Sequence, residues 1–399
     1  MAELGFAWGQ TGLAYRYSDL AKWPEAIRFC RLAVEQGNAK AQYLLGCAYR
    51  DGTGVRQNHT EAANWFRLAA EQGVTEASGE LGGLYLTGKG VSQDYGEALK
   101  WLRLSAKQGY DLARYNLGVM YEKGDGVSRD YRTAAKWFRL SAGQGLAASQ
   151  HNLGVLYEKG GNGIPQNYKT AVKWFRLSAQ QGLAASQHNL GVIYEEGHGV
   201  PQDFVEAIKW YRLAIEQGAT GSMARVGCMY EKGSGVSQDY NQAAHWFSLA
   251  AAQGQQEAQF KLGVLYEHGK GVPQDLDDAV KWYRMAAKEG YAEAQYHLGV
   301  MYEHGKGVPK NPEEAKKWYG LAAEQDYAQA SLRLGVMSSL GKHVPQDEIR
   351  TKAWLDRVPE QLLDELSNTV LSEAVPKRSK LFSGGLRYTI WYALKKLIR

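Results

Sequence analysis

Tryptophan recurs along this chain with a fixed period. Trp65, Trp101, Trp137, Trp174, Trp210, Trp246, Trp282 and Trp318 are separated by steps of 36 residues and one step of 37. A glycine ladder keeps the same step through Gly46, Gly82, Gly118, Gly154, Gly191, Gly227, Gly263, Gly299 and Gly335. The single slip is one extra residue in the loop Gly160-Gly161-Asn162-Gly163. Two copies, residues 137–155 and 174–192, differ only at Gly143 against Gln180. A chain of 399 residues would ordinarily be divided among two or three unlike domains. A fixed period instead demands an array of like units.

Residues 256–290 show what one unit is. In the stretch from Gln256 to His268, Ala258, Leu262, Leu265 and Tyr266 recur at three- and four-residue steps, the stripe of an amphipathic helix. Gly263 inside it costs about 1 kcal/mol of helix stability against alanine, so its return in nine units marks a place where a neighbouring helix approaches closely. Gly269 ends the helix in the left-handed region, Gly271 tightens the loop and Val272 tucks it inward. Asp275 is placed as an N-cap. Elsewhere Asn58 with Glu61, Asp94 with Glu97, Asp203 with Glu206 and Asn311 with Glu314 have capping-box spacing. A second helix carries Ala279, Trp282, Tyr283 and Ala286 inward and closes at Gly290. Two helices of about 13 residues cannot bury such aromatics alone, so neighbouring units must stack.

The fold expected is therefore all-α. It is an α-solenoid of about ten antiparallel helix pairs with a 36-residue period, wound as a right-handed superhelix. The array occupies residues 1–358, with degenerate first and last units, and residues 359–399 form a helical cap or tail. Hydrophobic residues make up 44% of the chain, which excludes wholesale disorder. Three cysteines cannot build a disulfide framework, and no paired Cys/His spacing suggests zinc. No basic segment followed by an apolar run opens the chain, and no apolar run approaches the roughly 18 residues of a spanning helix. The expectation is a soluble, cytoplasmic protein.

The recurring pattern A-x-A-Q-x-x-L-G-x-x-Y-x-x-G-x-G-V-x-Q-D-x-x-x-A-x-x-W-[FY]-R-x-A-A-x-Q-G resembles the Sel1-like repeat, a relative of the tetratricopeptide repeat. The resemblance covers roughly residues 10 to 357. Tetratricopeptide units have 34 residues; here the surplus lies in the glycine-rich turn between the helices. The first unit matches at Gly12, Tyr15 and Ala26 with a loop two residues shorter, and the last replaces the turn with Ser338-Ser339-Leu340-Gly341-Lys342-His343. The resemblance implies a scaffold or adaptor that holds another protein in a concave groove, without catalysis and without a cofactor.

Catalytic motifs are absent: no G-x-S-x-G elbow, Walker loop, dinucleotide fingerprint or H-E-x-x-H occurs. The repeated Gly-x-Gly turns follow helices rather than strands, so capping explains them better than phosphate binding. Some cysteine-rich Sel1-like relatives are linked with penicillin binding, which makes a penicillin-binding or β-lactamase-like hydrolase the alternative. Ser339-Leu340-Gly341-Lys342 is an S-x-x-K, but neither S-D-N nor K-T-G accompanies it. Cys47 and Cys228 take a slot that holds valine in six other units and read as small apolar fillers. His151 with His188, and His268 with His304, are equivalent positions of adjacent repeats, so duplication explains them without a metal.

The binding face is sought by subtraction. The position two before the central glycine leaves the apolar stripe and varies: Glu80, Asn116, Asn152, Asn189, Arg225, Lys261, His297, Arg333. Seven residues on stand Lys123, Lys159, Glu196, Lys232, His268 and His304. The candidate groove has an amide half (Asn116, Asn152, Asn189) and a basic half (Arg225, Lys232, Lys261, His268, His297, His304, Arg333). It suits a protein or peptide of acidic character. An adjacent acidic row from Glu122 to Glu303 sets local ion pairs against that reading. Nucleic acid is disfavoured as a partner because the aromatics recur at core spacing. In the tail, Trp391 lies on the apolar face of an amphipathic stretch, with Lys395, Lys396 and Arg399 opposite. That stretch caps the array, docks a partner, or lies on an anionic membrane as a peripheral adaptor would. The tail also holds the chain's charge excess. Seven of the 47 Lys and Arg fall between Ala374 and Arg399 without an acidic residue, and before them 40 basic residues face 42 acidic ones.

Overall fold

The computed structural model describes residues 6–161, 163–340 and 353–359, apart from the side chains at 339 and 340. Trp391, Lys395, Lys396 and Arg399 lie outside the described residues, as does the turn carrying Gly341 and Lys342. The chain divides into two compact units, Met1–Asp203 and Phe204–Arg399. In the first stand α1 (Ala7–Asp19), α2 (Trp23–Glu35), α3 (Ala39–Asp51), α4 (His59–Glu71), α5 (Thr75–Thr87), α6 (Tyr95–Lys107), α7 (Asp111–Lys123), α8 (Tyr131–Ala142), α9 (Ala147–Lys159), α10 (Tyr168–Gln180) and α11 (Ala184–Glu196). In the second stand α12 (Phe204–Ile215), α13 (Thr220–Lys232), α14 (Tyr240–Ala252), α15 (Gln256–His268), α16 (Leu276–Lys288), α17 (Ala292–His304), α18 (Pro312–Glu324) and α19 (Ala328–Leu340). The described residues are all-helical, save one isolated bridge between Gly161 and Ile164.

Within a pair the helices run antiparallel. Asn58, which caps the start of α4, donates its N–H to the carbonyl of Tyr49 near the end of α3 at 2.8 Å. At the other end, Gln72 donates to the Gln42 side chain in the first turn of α3, also at 2.8 Å. Each helix packs on the helices before and after it within its unit, which is the stacking that a solenoid requires. Within each unit, arginines of even helices bind one repeat to the next. Arg103, Arg139, Arg176 and Arg284 donate to the hydroxyls of Tyr121, Tyr157, Tyr194 and Tyr302, each 18 residues on, at 2.7–3.0 Å.

The helical glycines stand where the even helix sits closest. A Cβ built on Gly118, Gly154 or Gly227 falls 2.5–2.7 Å from the ring of Phe138, Phe175 or Phe247, and at Gly263 and Gly299 it meets the rings of Tyr283 and Tyr319. All five rings are fully buried. Gly271, at φ +69, lies so close to the Tyr240 carbonyl of the preceding repeat that only glycine fits there.

Half of the capping expectation holds. Asn58 and Asp94 accept from the backbone N–H groups two and three residues on, and Asn311 accepts from Glu314. The reciprocal bond of a capping box is not made. Backbone N–H groups of Asn58, Asp94, Asp130, Asp239, Asp275 and Asn311 are taken by the carbonyl of the tyrosine that ends the preceding helix. Glu97 is thereby free to accept from Trp101 and Lys100.

The first unit corrects the alignment read from the sequence. Three residues separate α1 from α2, whereas seven separate α3 from α4, so the loop is shorter by four and not by two. Gln10 takes the role of Gln42, Tyr17 that of Tyr49 and Ala14 that of Gly46; Lys22 donates to the Tyr17 carbonyl at 2.8 Å. The deletion lies in the loop alone, since α1 and α3 are both 13 residues long. The 37-residue unit absorbs its insertion at Gly160, which takes φ 64 and ψ −163, and Ile164 is buried against α8 and α9.

Alanine at Gly154 gains about 1 kcal/mol of helix propensity but drives its methyl group into the Phe175 ring, and overpacking of this kind costs about 1–3 kcal/mol. Thermal melting of Gly154→Ala should show a lower Tm than the parent. Adding Phe175→Leu, the pairing found at Gly82 with Leu102, should recover part of the loss.

Candidate functional site

Odd helices turn their alanine, leucine and glycine positions to the core, and 3.6 residues per turn leaves a second face for other work. The variable position of that face is half-buried at every repeat: Asn116, Asn152, Asn189, Arg225, Lys261, His297 and Arg333 all sit between exposed and buried. The column seven residues on, Lys123, Lys159, Glu196, Lys232, His268 and His304, is exposed. The glutamate row from Glu122 to Glu303 is half-buried alongside.

Stacking brings Glu231 against Lys261 and Glu267 against His297, each 30 positions later. Within the first unit Arg50 meets Glu80 at 2.7 Å, and Tyr110 donates its hydroxyl to the same carboxylate at 3.2 Å. Within the second, Lys261 meets Glu231 at 3.0 Å. Burial works against the Lys261 ammonium, but the bond to Glu231 outweighs it and holds Lys261 above the usual lysine range. His297 lies 3.9 Å from Glu267 and packs on the rings of Phe260 and Tyr283. Burial pushes His297 below the usual histidine range, so at neutral pH it is an uncharged ring. Tyr283 and Tyr319 add a donor to Glu267 and Glu303 at 2.7 and 2.6 Å. Lys261 and His297 are thus engaged within the fold. Lys232, His268 and His304 stand in the exposed column.

The amide half is built differently. Glu122 and Glu158 are followed 16 and 17 residues on by Phe138 and Phe175, which lack the tyrosine hydroxyl, and the variable positions are asparagines. Neither glutamate forms an ion pair among the described residues. Burial pushes both carboxyls above the usual range, and Lys123 and Lys159 offset part of that effect. The amide of Asn152 bonds the Tyr115 hydroxyl and opposes part of the burial that raises that phenol. His151 belongs to the structure, with its Nδ1 2.8 Å from the Ser186 hydroxyl and its ring on Phe175.

Sequence reasoning missed the tyrosine–glutamate pairs. Their signal was the alternation of Phe and Tyr after the repeat tryptophan, read only as core. Cys30, Cys47 and Cys228 are thiols that burial pushes up to about 11, which leaves little thiolate at neutral pH. Among the described residues no group of His, Cys, Asp and Glu is arranged to hold a metal ion. No described helix is long and apolar enough to cross a membrane.

The Sel1 repeat family matches this chain nine times, at residues 39–74, 75–110, 111–146, 147–183, 184–218, 220–255, 256–291, 292–327 and 328–357. Among solved structures, the chain is similar to a protective antigen present in uropathogenic Escherichia coli strains and described as displaying an SLR fold. The two are 30% identical with a TM-score of 0.64, over 100% of this chain and 92% of that one. It is also similar to a Sel1 repeat protein from Oxalobacter formigenes, at 35% identity and a TM-score of 0.60, over 77% of this chain and 88% of that one. A search of curated proteins gives no significant match.

Two stability measurements test the ladder. A carboxyl whose folded-state pKa lies above its unfolded value contributes stability that is full below the unfolded pKa and lost as pH rises through the folded one. Glu122→Gln/Glu158→Gln should therefore melt above the parent at neutral pH, and the gap should narrow as pH falls through the carboxylate range. Lys261→Met leaves Glu231 half-buried without its cation and should cost about 0.5–2 kcal/mol in denaturant unfolding, with partial recovery in Lys261→Met/Glu231→Gln.

Proposed function

Since this chain belongs to the Sel1 repeat family, we propose that it is a non-catalytic scaffold that binds an extended segment of another protein along the odd-helix face of α7, α9 and α11. Tandem helical repeats of this kind offer extended binding surfaces. The observation that carries the reading is the column Asn116, Asn152 and Asn189. These amides stand half-exposed at the register where Lys261 and His297 elsewhere contact glutamates of the preceding repeat. Helices pack at about 10 Å, which is close to three residues of extended chain at about 3.3 Å each. A bound strand would meet one asparagine at every third residue, and an amide can both donate to and accept from its backbone.

Acidic character in the partner is supported by the exposed column. Lys123 and Lys159 flank the asparagines, and the row in the second unit keeps Lys232, His268 and His304 in solvent. The hydrolase and membrane readings rest on the segment Ser339-Leu340-Gly341-Lys342 and on the tail, whose side chains lie outside the described residues.

The test is capture from cells with the tagged full-length chain, read by quantitative mass spectrometry against Asn152→Arg/Asn189→Arg. The bulky cations should remove most of a specific partner's signal while circular dichroism stays unchanged. A partner captured equally by parent and variant would count against this face. Replacing Lys123 and Lys159 by glutamate should weaken capture by about 10-fold and flatten its salt dependence.

A further inference from the structure

Even helices carry a second surface that the repeat does not need for stacking. Each puts one leucine or methionine into solvent at the same register, from Leu68 to Leu321, with 39–50% of the side chain's residue exposed. Four residues before it, on the same face, most even helices carry a lysine. In α6, α12, α16 and α18 that lysine is neutralised by an acid three residues earlier, as Lys100 is by Glu97, Lys209 by Glu206, Lys281 by Asp278 and Lys317 by Glu314. In α8 and α10 the acidic position is Thr133 and Thr170 instead.

The consequence is a local charge excess. Helix α8 holds Arg132, Lys136 and Arg139 and no acidic residue; α10 holds Lys169, Lys173 and Arg176 and no acidic residue. All six are exposed. Lys136, Lys169 and Lys173 form no ion pair among the described residues. Arg139 and Arg176 donate to neutral tyrosine hydroxyls, which leave their charges uncompensated. The nearby Asp130 is turned to the N-terminus of α8, where it accepts from the N–H groups of Arg132 and Thr133. Between these cations stand Leu140 and Leu177, exposed to 50% and 46%.

We propose that the α8–α10 face is a docking surface for an acidic amphipathic helix of a protein partner, separate from the odd-helix row. Both helices pack on α9. Apolar residues on one face of a partner helix would seat on Leu140 and Leu177, and carboxylates flanking them would meet Lys136, Lys173 and Lys169. A lipid surface fits less well. The aromatic side chains that would enter a bilayer, Trp137 and Trp174, are turned inward against the clusters around Leu117 and Leu153.

The probe is a synthetic helical peptide of about three heptads, with leucine at one heptad position and glutamates flanking it, labelled for fluorescence anisotropy and titrated with the full chain. Binding should exceed that of a scrambled peptide by at least about 10-fold and fall with salt. Lys136→Glu/Lys173→Glu and Leu140→Ala/Leu177→Ala should each weaken it by about 10-fold, whereas Lys317→Glu should not. Circular dichroism of each variant checks that the array is folded. Equal binding of ordered and scrambled peptides overturns the proposal, as does a response to the charge variant alone. Sedimentation with phosphatidylglycerol vesicles that depends on Lys136 and Lys173, without peptide binding, would assign the surface to lipid and overturn it as well.

Discussion

Everything in this molecule hangs from a ring lying on a glycine. Phe138 on Gly118, Phe175 on Gly154 and Tyr283 on Gly263 let an even helix approach an odd one more closely than any side chain would allow. The cost is about 1 kcal/mol of helix propensity at each glycine. The return is a fully buried aromatic ring in every such pair, and burial of large apolar side chains is the dominant favourable term available to a helical pair of this size. That contact also sets where the next helix begins. The tyrosine carbonyl that ends the odd helix is placed to accept the N–H of the following N-cap, so turn, cap and packing are one device.

Stacking by this device brings together residues far apart in sequence at constant offsets. Eighteen residues separate an arginine from its tyrosine hydroxyl, and thirty separate Glu231 from Lys261 or Glu267 from His297. A polar residue on the odd-helix face is therefore never judged by its own repeat alone. Where the later repeat supplies a cation, or the following even helix a tyrosine, the glutamate is satisfied within the fold. Glu122 and Glu158, with asparagine at the later position, form no ion pair among the described residues. The same logic runs on the even helices, where one threonine in place of an acid converts a neutral ridge into a basic one. What distinguishes one stretch of the array from another lies in these departures from the repeat, not in the repeat.

Much of the fold was legible because its causes are local or periodic. The closing glycines and the N-caps at Asp94 and Asp275 act within a few residues of themselves, Gly263 recurs with the period of the ring that it meets, and their positions in the structure agree with the pattern. The first unit was misread for a physical reason. Gly12 and Tyr15 keep the three-residue spacing of the pattern, and only the stacking contacts show that Ala14 and Tyr17 occupy those places. The capping boxes were half right, because the competing acceptor, a tyrosine carbonyl, belongs to the preceding helix. On the odd-helix face, Lys261 and His297 could be assigned to the right surface but not to their contacts, since those contacts are made across the stack.

The sequence by itself determined the helical hairpin, its period, its close-approach glycines and the array built from it, because each of these depends on spacing within about one repeat. Tertiary structure alone decided which charges of the odd-helix face are engaged. Lys261 is held by Glu231, whereas Lys232 stands exposed without an ion pair among the described residues, and nothing in the residue types separates them. The difference is made by what the neighbouring helix places opposite, and electrostatic attraction depends on that distance in space rather than on distance along the chain.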